Sequence, residues 1–293
     1  MSGSEPEREP AVLRRAHRAA LEALADVAPE PGSAKPDPIV TATGLRRAFG
    51  GLVAVDVEHV EVQRGTITAL IGPNGAGKTT LFNLLTGFDR PNRGSWTFDG
   101  RSAKRLRSYR LAQAGMVRTF QLTKALTRMT VLDNMLIGAS KQIGERMWAG
   151  LVPALWRSQE AANKARAIAL LERFDLADKR EDYAGELSGG QRKLLEMARA
   201  LMLEPRMVML DEPMAGVNPA LKQSLLEHIK GLREDGMTVL FVEHDMDMIH
   251  EIADWVVVMA SGRVITEGTP ERISTDPRVV DAYLGAHHDG TAR

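Results

Sequence analysis

Apolar residues recur along the chain in two different patterns, and their order predicts the order of the secondary-structure elements. Four short apolar runs are typical of buried strands, at residues 67–71, 207–210, 238–242 and 255–260. A helical pattern at residues 219–233 separates the second run from the third. Strands that alternate with helices predict an α/β fold with a largely parallel sheet.

Two stretches depart from this α/β pattern. From residue 38 to about 100 the chain predicts a small β-rich layer, with strands at 39–43, 53–57, 60–62 and 96–100. From about 122 to 203 the pattern is mostly helical, and we predict that this block is inserted into the α/β core. Its expected helices lie at 131–139, 148–156, 159–174 and 191–203.

The two ends of the chain also differ from its middle. Residues 1–37 are rich in proline and predict a flexible arm with one helix at 11–27, which either docks loosely or binds a partner. A last strand is expected at 263–267, short helices at 270–285, and a C-terminal tail at 276–293. The main domain of the chain is therefore expected at 38–275.

A glycine-rich turn follows the first buried run and opens an apolar helix. It fits the phosphate-binding pattern Gly72-x-x-x-x-Gly77-Lys78-Thr79, with the strand before it and the helix after it that this pattern requires. Glycines let backbone N–H groups point at an anion, and the helix N-terminus adds partial positive charge. We expect the turn to bind nucleotide phosphates through Gly72, Pro73, Asn74, Gly75, Ala76, Gly77, Lys78, Thr79 and Thr80, with Lys78 on the β- and γ-phosphates and Thr79 on Mg²⁺.

Two carboxylates end another buried run. Asp211 and Glu212 follow the apolar residues 207–210, at the edge where ligands bind in parallel sheets. Asp211 suits Mg²⁺ through its water shell, and Glu212 suits polarisation of an attacking water. Phe49 lies 23 residues before Gly72 and either packs in a turn or stacks on adenine.

A third motif, Leu187-Ser-Gly-Gly-Gln191, precedes the predicted helix 191–203. Ser188 suits the N-cap, and the two glycines leave the first N–H groups of the helix open to an anion. One chain thus carries two helix ends suited to phosphate.

Composition narrows the function classes. The net charge is zero, so the chain lacks the basic excess of many nucleic-acid-binding proteins, and we expect no nucleic-acid partner. The absence of cysteine excludes disulfides, thiolate zinc sites and cysteine nucleophiles. No apolar run approaches the roughly 18 residues of a transmembrane helix.

The order of these motifs resembles the nucleotide-binding subunit of ABC (ATP-binding cassette) transporters. The motifs are, along the chain, the phosphate loop, Gln121, the Leu187–Gln191 motif, the Asp211–Glu212 pair and His244. The resemblance spans about residues 39–270. It implies a P-loop NTPase core of ABC type, with an antiparallel β subdomain and an inserted α-helical subdomain.

The resemblance also implies an ATPase with Mg²⁺ and assigns roles to single residues. Phe49 is similar to the adenine-stacking aromatic, Gln121 to the glutamine that touches Mg²⁺ and the attacking water, and His244 to the histidine on the γ-phosphate. Two subunits are expected to pack head to tail, so that Ser188, Gly189, Gly190 and Gln191 of one face the nucleotide of the other.

Finer features resemble one subfamily, the ATPase subunits of branched-chain amino acid importers. These features are Asn218-Pro219, Val117-Arg-Thr-Phe-Gln121 and the ending Asp281-Ala-Tyr-Leu-Gly285. Asn218 stands where the broad family usually has aspartate, which leaves open how the dimer communicates through this loop. The expected partners are a second ATPase subunit, identical or related, transmembrane permease subunits and an extracytoplasmic solute-binding protein, at the cytoplasmic face of the plasma membrane.

Two alternatives stay open. The first alternative is an ABC transporter for another solute, such as urea or an amide, or an exporter. The second is an ABC-type translation, repair or chromosome-organising ATPase, against which stand the single cassette and the absence of zinc-binding cysteines in this sequence.

Overall fold

The computed structural model describes residues 9–119, 126–139 and 157–288. The helices are α1 Glu9–Ala25, α2 Lys78–Leu85, α3 Ser108–Gln113, α4 Val131–Ile137, α5 Arg157–Arg173, α6 Gly189–Leu201, α7 Pro219–Glu234, α8 Met246–Ile252, α9 Pro270–Ser274 and α10 Pro277–His288. The strands are β1 Pro38–Phe49, β2 Leu52–Gln63, β3 Ile67–Ile71, β4 Arg93–Phe98, β5 Arg101–Ser102, β6 Met116–Arg118, β7 Met207–Asp211, β8 Thr238–Val242, β9 Trp255–Ala260 and β10 Arg263–Gly268.

The chain divides into two compact units. Unit 1 comprises Met1–Leu111 and Ile229–Arg293, and unit 2 comprises Ala112–His228. Unit 2 is wider than the helical block predicted at 122–203, because it also contains the parallel strands β6 and β7. Part of that block lies outside the described residues, including the helix predicted at 148–156.

Unit 1 contains the predicted antiparallel β layer and a set of largely parallel strands. The antiparallel sheet has the order β2-β1-β4-β5. In the second set, β3 is parallel to both β8 and β9, and β10 is antiparallel to β9. All five residues of β3 and of β8 are buried, as their continuous apolar sequence predicts.

The first hairpin is longer than the sequence pattern indicated. Strand β2 joins the two short strands predicted at 53–57 and 60–62, and β1 continues six residues beyond the predicted end at Thr43. The ladder pairs Thr43 with His59 and closes at Phe49 and Leu52. Because backbone hydrogen bonds hold this ladder, polar side chains along its exposed face do not interrupt it.

The N-terminal segment is attached to unit 1 by long-range contacts. In α1, Nδ1 of His17 lies 3.1 Å from the Gly65 carbonyl, and Leu24 is buried. Farther along, Lys35 Nζ donates to Glu267 Oε2 at 2.7 Å, and both side chains are fully buried. Trp255 Nε1 donates to the same carboxylate oxygen at 2.8 Å. The segment predicted as a flexible arm therefore carries a helix and a buried ion pair.

The C-terminal segment also belongs to unit 1. Helix α10 packs against α9 and β10. At its start, Arg278 donates to Asp276, and this bond is the main reason that the pKa of Asp276 falls to about 2. Among the described residues, no helix is both long and apolar enough to span a bilayer.

Unit 2 combines the β6–β7 pair with helices α4, α5 and α6, which pack on one another. Asn134 is fully buried in α4, where its side chain bonds the backbone of Leu126 at 2.9 and 3.1 Å and the Thr130 carbonyl at 2.9 Å. Gly138 approaches the Arg199 carbonyl so closely that an added Cβ would lie 2.7 Å from it. The buried amide holds the segment before α4, and the close contact at Gly138 places the end of α4 against α6.

Candidate functional site

The phosphate-binding turn lies in unit 1, between β3 and α2. Gly72, Gly75 and Gly77 have φ angles of 146°, 79° and 95°, which residues other than glycine rarely adopt. A Cβ on Gly72 would lie 2.0 Å from the Met259 carbonyl oxygen, and one on Gly77 would lie 2.3 Å from that of Ala54. The predicted turn requires glycine at these two positions for both conformation and space.

Lys78 begins α2 and folds back over this turn. Its ammonium donates to the carbonyls of Gly72 at 2.6 Å and Pro73 at 3.0 Å. The next residue, Thr79, is exposed on the first turn of the helix. The positive charge and the hydroxyl thus lie at the mouth of the turn, as a phosphate and a hard cation require.

His244 lies at the same sheet edge as this turn. Strands β3 and β8 are parallel, with Leu70 opposite Val242, so the residues after both strands leave the sheet in the same direction. The His244 side chain is 72% exposed, and its backbone N–H donates to Glu243 Oε2 at 3.2 Å. The structure brings His244 and the phosphate turn to one edge of unit 1, as the sequence predicted.

Phe49 ends β1, and 49% of it is exposed. The Arg47 guanidinium lies over its ring, 4.4 Å from the ring centroid, and also donates to Asp89 at 2.8 Å. An aromatic ring that a cation supports and that is half exposed is available for stacking on a base. Sequence reasoning missed Arg47, although two residues apart on a strand is the spacing of same-face neighbours.

Unit 2 holds the paired carboxylates. Asp211 ends β7 and is buried, and its Oδ2 accepts a hydrogen bond of 2.6 Å from Arg118 Nη2, at the end of the neighbouring strand β6. Glu212 follows with a φ of 47°, in the left-handed region. Such strain in a residue other than glycine costs about 1–3 kcal/mol and is concentrated at functional sites.

Lys193 of α6 holds the loop that follows Glu212. Its ammonium donates to the carbonyls of Pro213 at 2.9 Å and Glu212 at 3.4 Å, and also to that of Ala215. Sequence reasoning gave neither Lys193 nor Arg118 a role. Arg118 lies within Val117–Gln121, which carries part of the resemblance, but strand β6, which places it beside Asp211, was not predicted.

The Leu187–Gln191 motif forms the expected N-terminus of α6. Gln191 N–H donates to Ser188 Oγ at 3.2 Å, and Ser188 N–H donates to Gln191 Oε1 at 3.0 Å, which completes a capping box. Because Ser188 Oγ accepts here, its own proton remains available to a phosphate. Gly189 is exposed with open space around it, whereas Gly190 is buried against Leu221.

Gln121 lies outside the described residues, so its role stays a prediction. His228 of unit 2 stacks on Phe174 with ring centroids 4.5 Å apart, and burial lowers the pKa of its imidazole.

Asn218, the departure noted in the sequence, has a clear local role. Its Oδ1 accepts a 2.9 Å hydrogen bond from Leu221 N–H, and Pro219 then begins α7. Asparagine caps helices about as well as aspartate, and proline suits the first helical position. The pair Asn218–Pro219 therefore starts α7 without the carboxylate that the broad family usually has.

Comparisons with known proteins agree with these features. The model of the family described as "ABC transporter" matches residues 56–215, and that described as "Branched-chain amino acid ATP-binding cassette transporter" matches residues 263–289. A probable branched-chain amino acid transport ATP-binding protein, LivG of Archaeoglobus fulgidus, is 41% identical over 248 residues, 85% of this chain and 96% of its own. BraF of Pseudomonas aeruginosa, a high-affinity branched-chain amino acid transport ATP-binding protein, is 41% identical over 251 residues, 85% of this chain and 98% of its own.

Solved structures give the same result for the fold. A nucleotide-free ATP-binding cassette from an ABC transporter is 37% identical, with a TM-score of 0.73 over 84% of this chain and 98% of its own. The ADP conformation of such a cassette is 35% identical, with a TM-score of 0.72 over 85% of this chain and 99% of its own. The P-loop core, the antiparallel β sheet and the predicted resemblance are confirmed, and the chain belongs to the ABC transporter family of ATP-binding proteins.

Proposed function

We propose that the chain is the ATP-binding and hydrolysing subunit of an ABC importer that powers uptake of branched-chain amino acids through separate transmembrane subunits. One observation carries the choice of solute class: the relatives named for branched-chain amino acid transport match over almost their whole length, at 41% identity. The match of residues 263–289 to the C-terminal model of that transporter class adds independent support.

The phosphate turn is assigned to binding ATP. Backbone N–H groups from Gly72 to Thr80 would surround the β- and γ-phosphates, and Lys78 would exchange its two carbonyl partners for phosphate oxygens. Phe49 would stack on the adenine with the face that Arg47 leaves open. These groups bind and orient the triphosphate, and positioning is most of catalysis in phosphoryl transfer.

Magnesium fits the residues present. No group of three histidine, aspartate or glutamate side chains with metal-site geometry occurs in the described ranges. A cation would therefore need hydroxyl, phosphate and water oxygens, which suits Mg²⁺. Thr79 and Asp211 are the ligands we assign, with Gln121 as a third; bound Mg²⁺ would neutralise charge on the phosphates.

Hydrolysis is assigned to Glu212 and His244. Glu212 would take a proton from the attacking water, and its strained backbone fixes where its side chain begins. The exposed His244 imidazole would hold the γ-phosphate. Gln121 would orient the water.

The exposed Ser188–Gly189 end of α6 is assigned to the nucleotide of a second ATPase subunit. A helix N-terminus with free N–H groups and a serine proton binds an anion well. Permease subunits at the cytoplasmic face of the membrane, and a solute-binding protein outside it, complete the proposed system.

Reconstitution tests the proposal directly. The ATPase and its permease subunits are placed in proteoliposomes, and ATP hydrolysis is measured as solute-binding proteins loaded with leucine, isoleucine or valine are added. We expect these to stimulate hydrolysis and uptake. Stimulation only by urea-loaded or amide-loaded binding proteins would favour a transporter for another solute. Purification of the chain from cells with ribosomes or DNA, rather than with membrane proteins, would favour the non-transport class.

A further inference from the structure

Arg118 contacts Asp211, the carboxylate of unit 2 that we assign to magnesium. It is the last residue of β6, which runs parallel to β7, so Arg118 and Asp211 emerge at the same edge. Its Nη2 lies 2.6 Å from Asp211 Oδ2, and the two side chains are 9% and 7% exposed. The pair is therefore almost completely withdrawn from water.

Stability alone is a weak reason for such a pair. Desolvation of two buried charges offsets most of their attraction, and apolar residues often replace them without loss. A second arginine–acid pair of this unit, Arg166 with Glu204, is far more exposed, at 36% and 72%. Burial of a charged pair at the ligand-binding edge of the sheet points to a functional reason.

The two oxygens of Asp211 are not equivalent. Oδ2 accepts the hydrogen bond from Arg118, while Oδ1 accepts none from the part of the chain that the structure describes. The terminal torsion of an aspartate is broad, so an unsupported carboxylate can turn. Because the hydrogen bond from Arg118 holds Oδ2 in place, the carboxylate cannot turn freely and Oδ1 keeps one orientation.

We propose that Arg118 is a positioning residue for magnesium-dependent ATP hydrolysis: it holds Asp211 by Oδ2 so that Oδ1 faces the water shell of the ion. This inference rests on the proposed function and names a residue that it did not include. Partners that orient a metal ligand contribute about 10–100-fold to metal affinity.

Orientation and charge predict opposite effects of removing Arg118. The guanidinium repels a divalent cation, so by charge alone Arg118→Met would tighten metal binding. By orientation, the same substitution weakens it. Arg118→Lys separates the two effects, because lysine keeps the charge but carries it on a flexible stem that does not hold one donor at Asp211 Oδ2.

The experiment measures Mn²⁺ binding by electron paramagnetic resonance on the full chain with a non-hydrolysable ATP analogue. We expect Arg118→Met and Arg118→Lys each to weaken Mn²⁺ binding about 10–100-fold, and to raise the Mg²⁺ concentration that half-saturates ATP hydrolysis. Affinity for the analogue in EDTA should stay at the wild-type value. Arg166→Met, which removes the arginine of the Arg166–Glu204 pair, is the matched control and should leave Mn²⁺ binding unchanged.

A double-mutant cycle with Asp211→Asn shows whether Arg118 acts through Asp211. In the Asp211→Asn background, Arg118→Met should change Mn²⁺ affinity by less than about twofold. The double variant also removes both charges, so it provides a folded comparison if Arg118→Met alone leaves Asp211 buried without a partner and unfolds.

Three results overturn the inference. They are unchanged Mn²⁺ affinity in both single variants, tighter binding in Arg118→Met, and additive losses in the double variant. A wild-type chain that binds the analogue without any effect of Mn²⁺, or hydrolyses no ATP, would overturn the proposed function as well. Wild-type activity with unaffected Arg118 variants would remove this inference alone.

Discussion

At the scale of single residues, two neighbouring carboxylates receive different environments. Asp211 is buried and bonded to Arg118, whereas Glu212 is partly exposed and sits in a left-handed backbone conformation. Lys193 donates to the carbonyls of Glu212 and Pro213, so these hydrogen bonds stabilise the strained backbone at Glu212. Because their environments differ, the two adjacent carboxylates can serve different roles, as we propose for Asp211 in metal binding and Glu212 in hydrolysis.

Glu212→Gln tests the catalytic assignment. Glutamine keeps the size of glutamate and one acceptor oxygen but cannot take a proton at neutral pH. We expect ATP hydrolysis to fall by about 10²–10⁴-fold while ATP affinity is retained, so that closed dimers accumulate. Phosphate release and size-exclusion chromatography with ATP measure both effects.

Glu204→Gln is the control, because the Glu204 side chain is 72% exposed and belongs to the same unit. It should hydrolyse ATP at the wild-type rate. Normal turnover by Glu212→Gln would remove Glu212 from the role of general base.

At the scale of elements, two helices of the candidate site, α6 and α7, begin at identifiable caps. Ser188 starts α6 with a capping box, and Asn218 with Pro219 starts α7. The Ser188 cap was predicted from the sequence, because a capping interaction involves residues two or three apart. What the sequence left open was the purpose of Asn218, and its cap supplies one.

Asn218→Ala tests that cap. The substitution leaves the Leu221 N–H without its side-chain acceptor, and we expect the free energy of unfolding to fall by about 1 kcal/mol. Asn218→Asp keeps an acceptor at the same place and should unfold like the wild type. Urea unfolding of the three proteins measures this, and equal loss in both variants would contradict the capping role.

The attachment of the N-terminal segment gives a second test at this scale. Lys35→Met leaves the Glu267 carboxylate buried and without its cation, and breaking a buried pair costs about 3–5 kcal/mol. Lys230→Met breaks the Lys230–Glu251 pair, whose side chains are 24% and 37% exposed, and should cost no more than about 1 kcal/mol. Chemical denaturation compares the two, and equal losses would show that Lys35 contributes nothing through burial.

At the scale of the whole molecule, the question is where the Ser188–Gly190 end acts. Gly190 is buried against Leu221, which leaves no room for a side chain there, but Gly189 is exposed, with open space where a side chain would go. A substitution at Gly189 therefore leaves the fold of its own subunit intact. Its effect on activity reports on a second subunit.

Gly189→Asp uses this property. The new carboxylate would repel the phosphate of the facing subunit, and we expect ATP hydrolysis to fall about 10²-fold or more. Unfolding and affinity for a single nucleotide should match the wild type, since Lys78 and its turn are untouched. Calorimetry and phosphate release check these expectations.

Mixing chains sharpens the same prediction. A dimer of one Lys78→Ala chain and one Gly189→Asp chain contains one site with both halves intact, so the mixture should recover hydrolysis that neither variant has alone. No recovery in a mixture that forms dimers would contradict sites shared between subunits.

The sequence by itself determined the elements and the motifs. Buried strands β3, β8 and β9 appear at the predicted residues, and the phosphate turn has the conformation that its glycines require. These features follow from local physical chemistry: side-chain periodicity, glycine freedom and capping act within a few residues. The family resemblance rests on the same local motifs.

Only the tertiary structure decided which distant residues meet. Lys35 bonds Glu267 across 232 positions, Arg118 bonds Asp211 across 93, and β2 runs unbroken through His59 because β1 lies beside it. Local sequence patterns do not predict such pairs, because they form between residues that only the packing of the whole fold brings together and withdraws from water. For that reason the sequence predicted Asp211, and the fold was needed to identify Arg118.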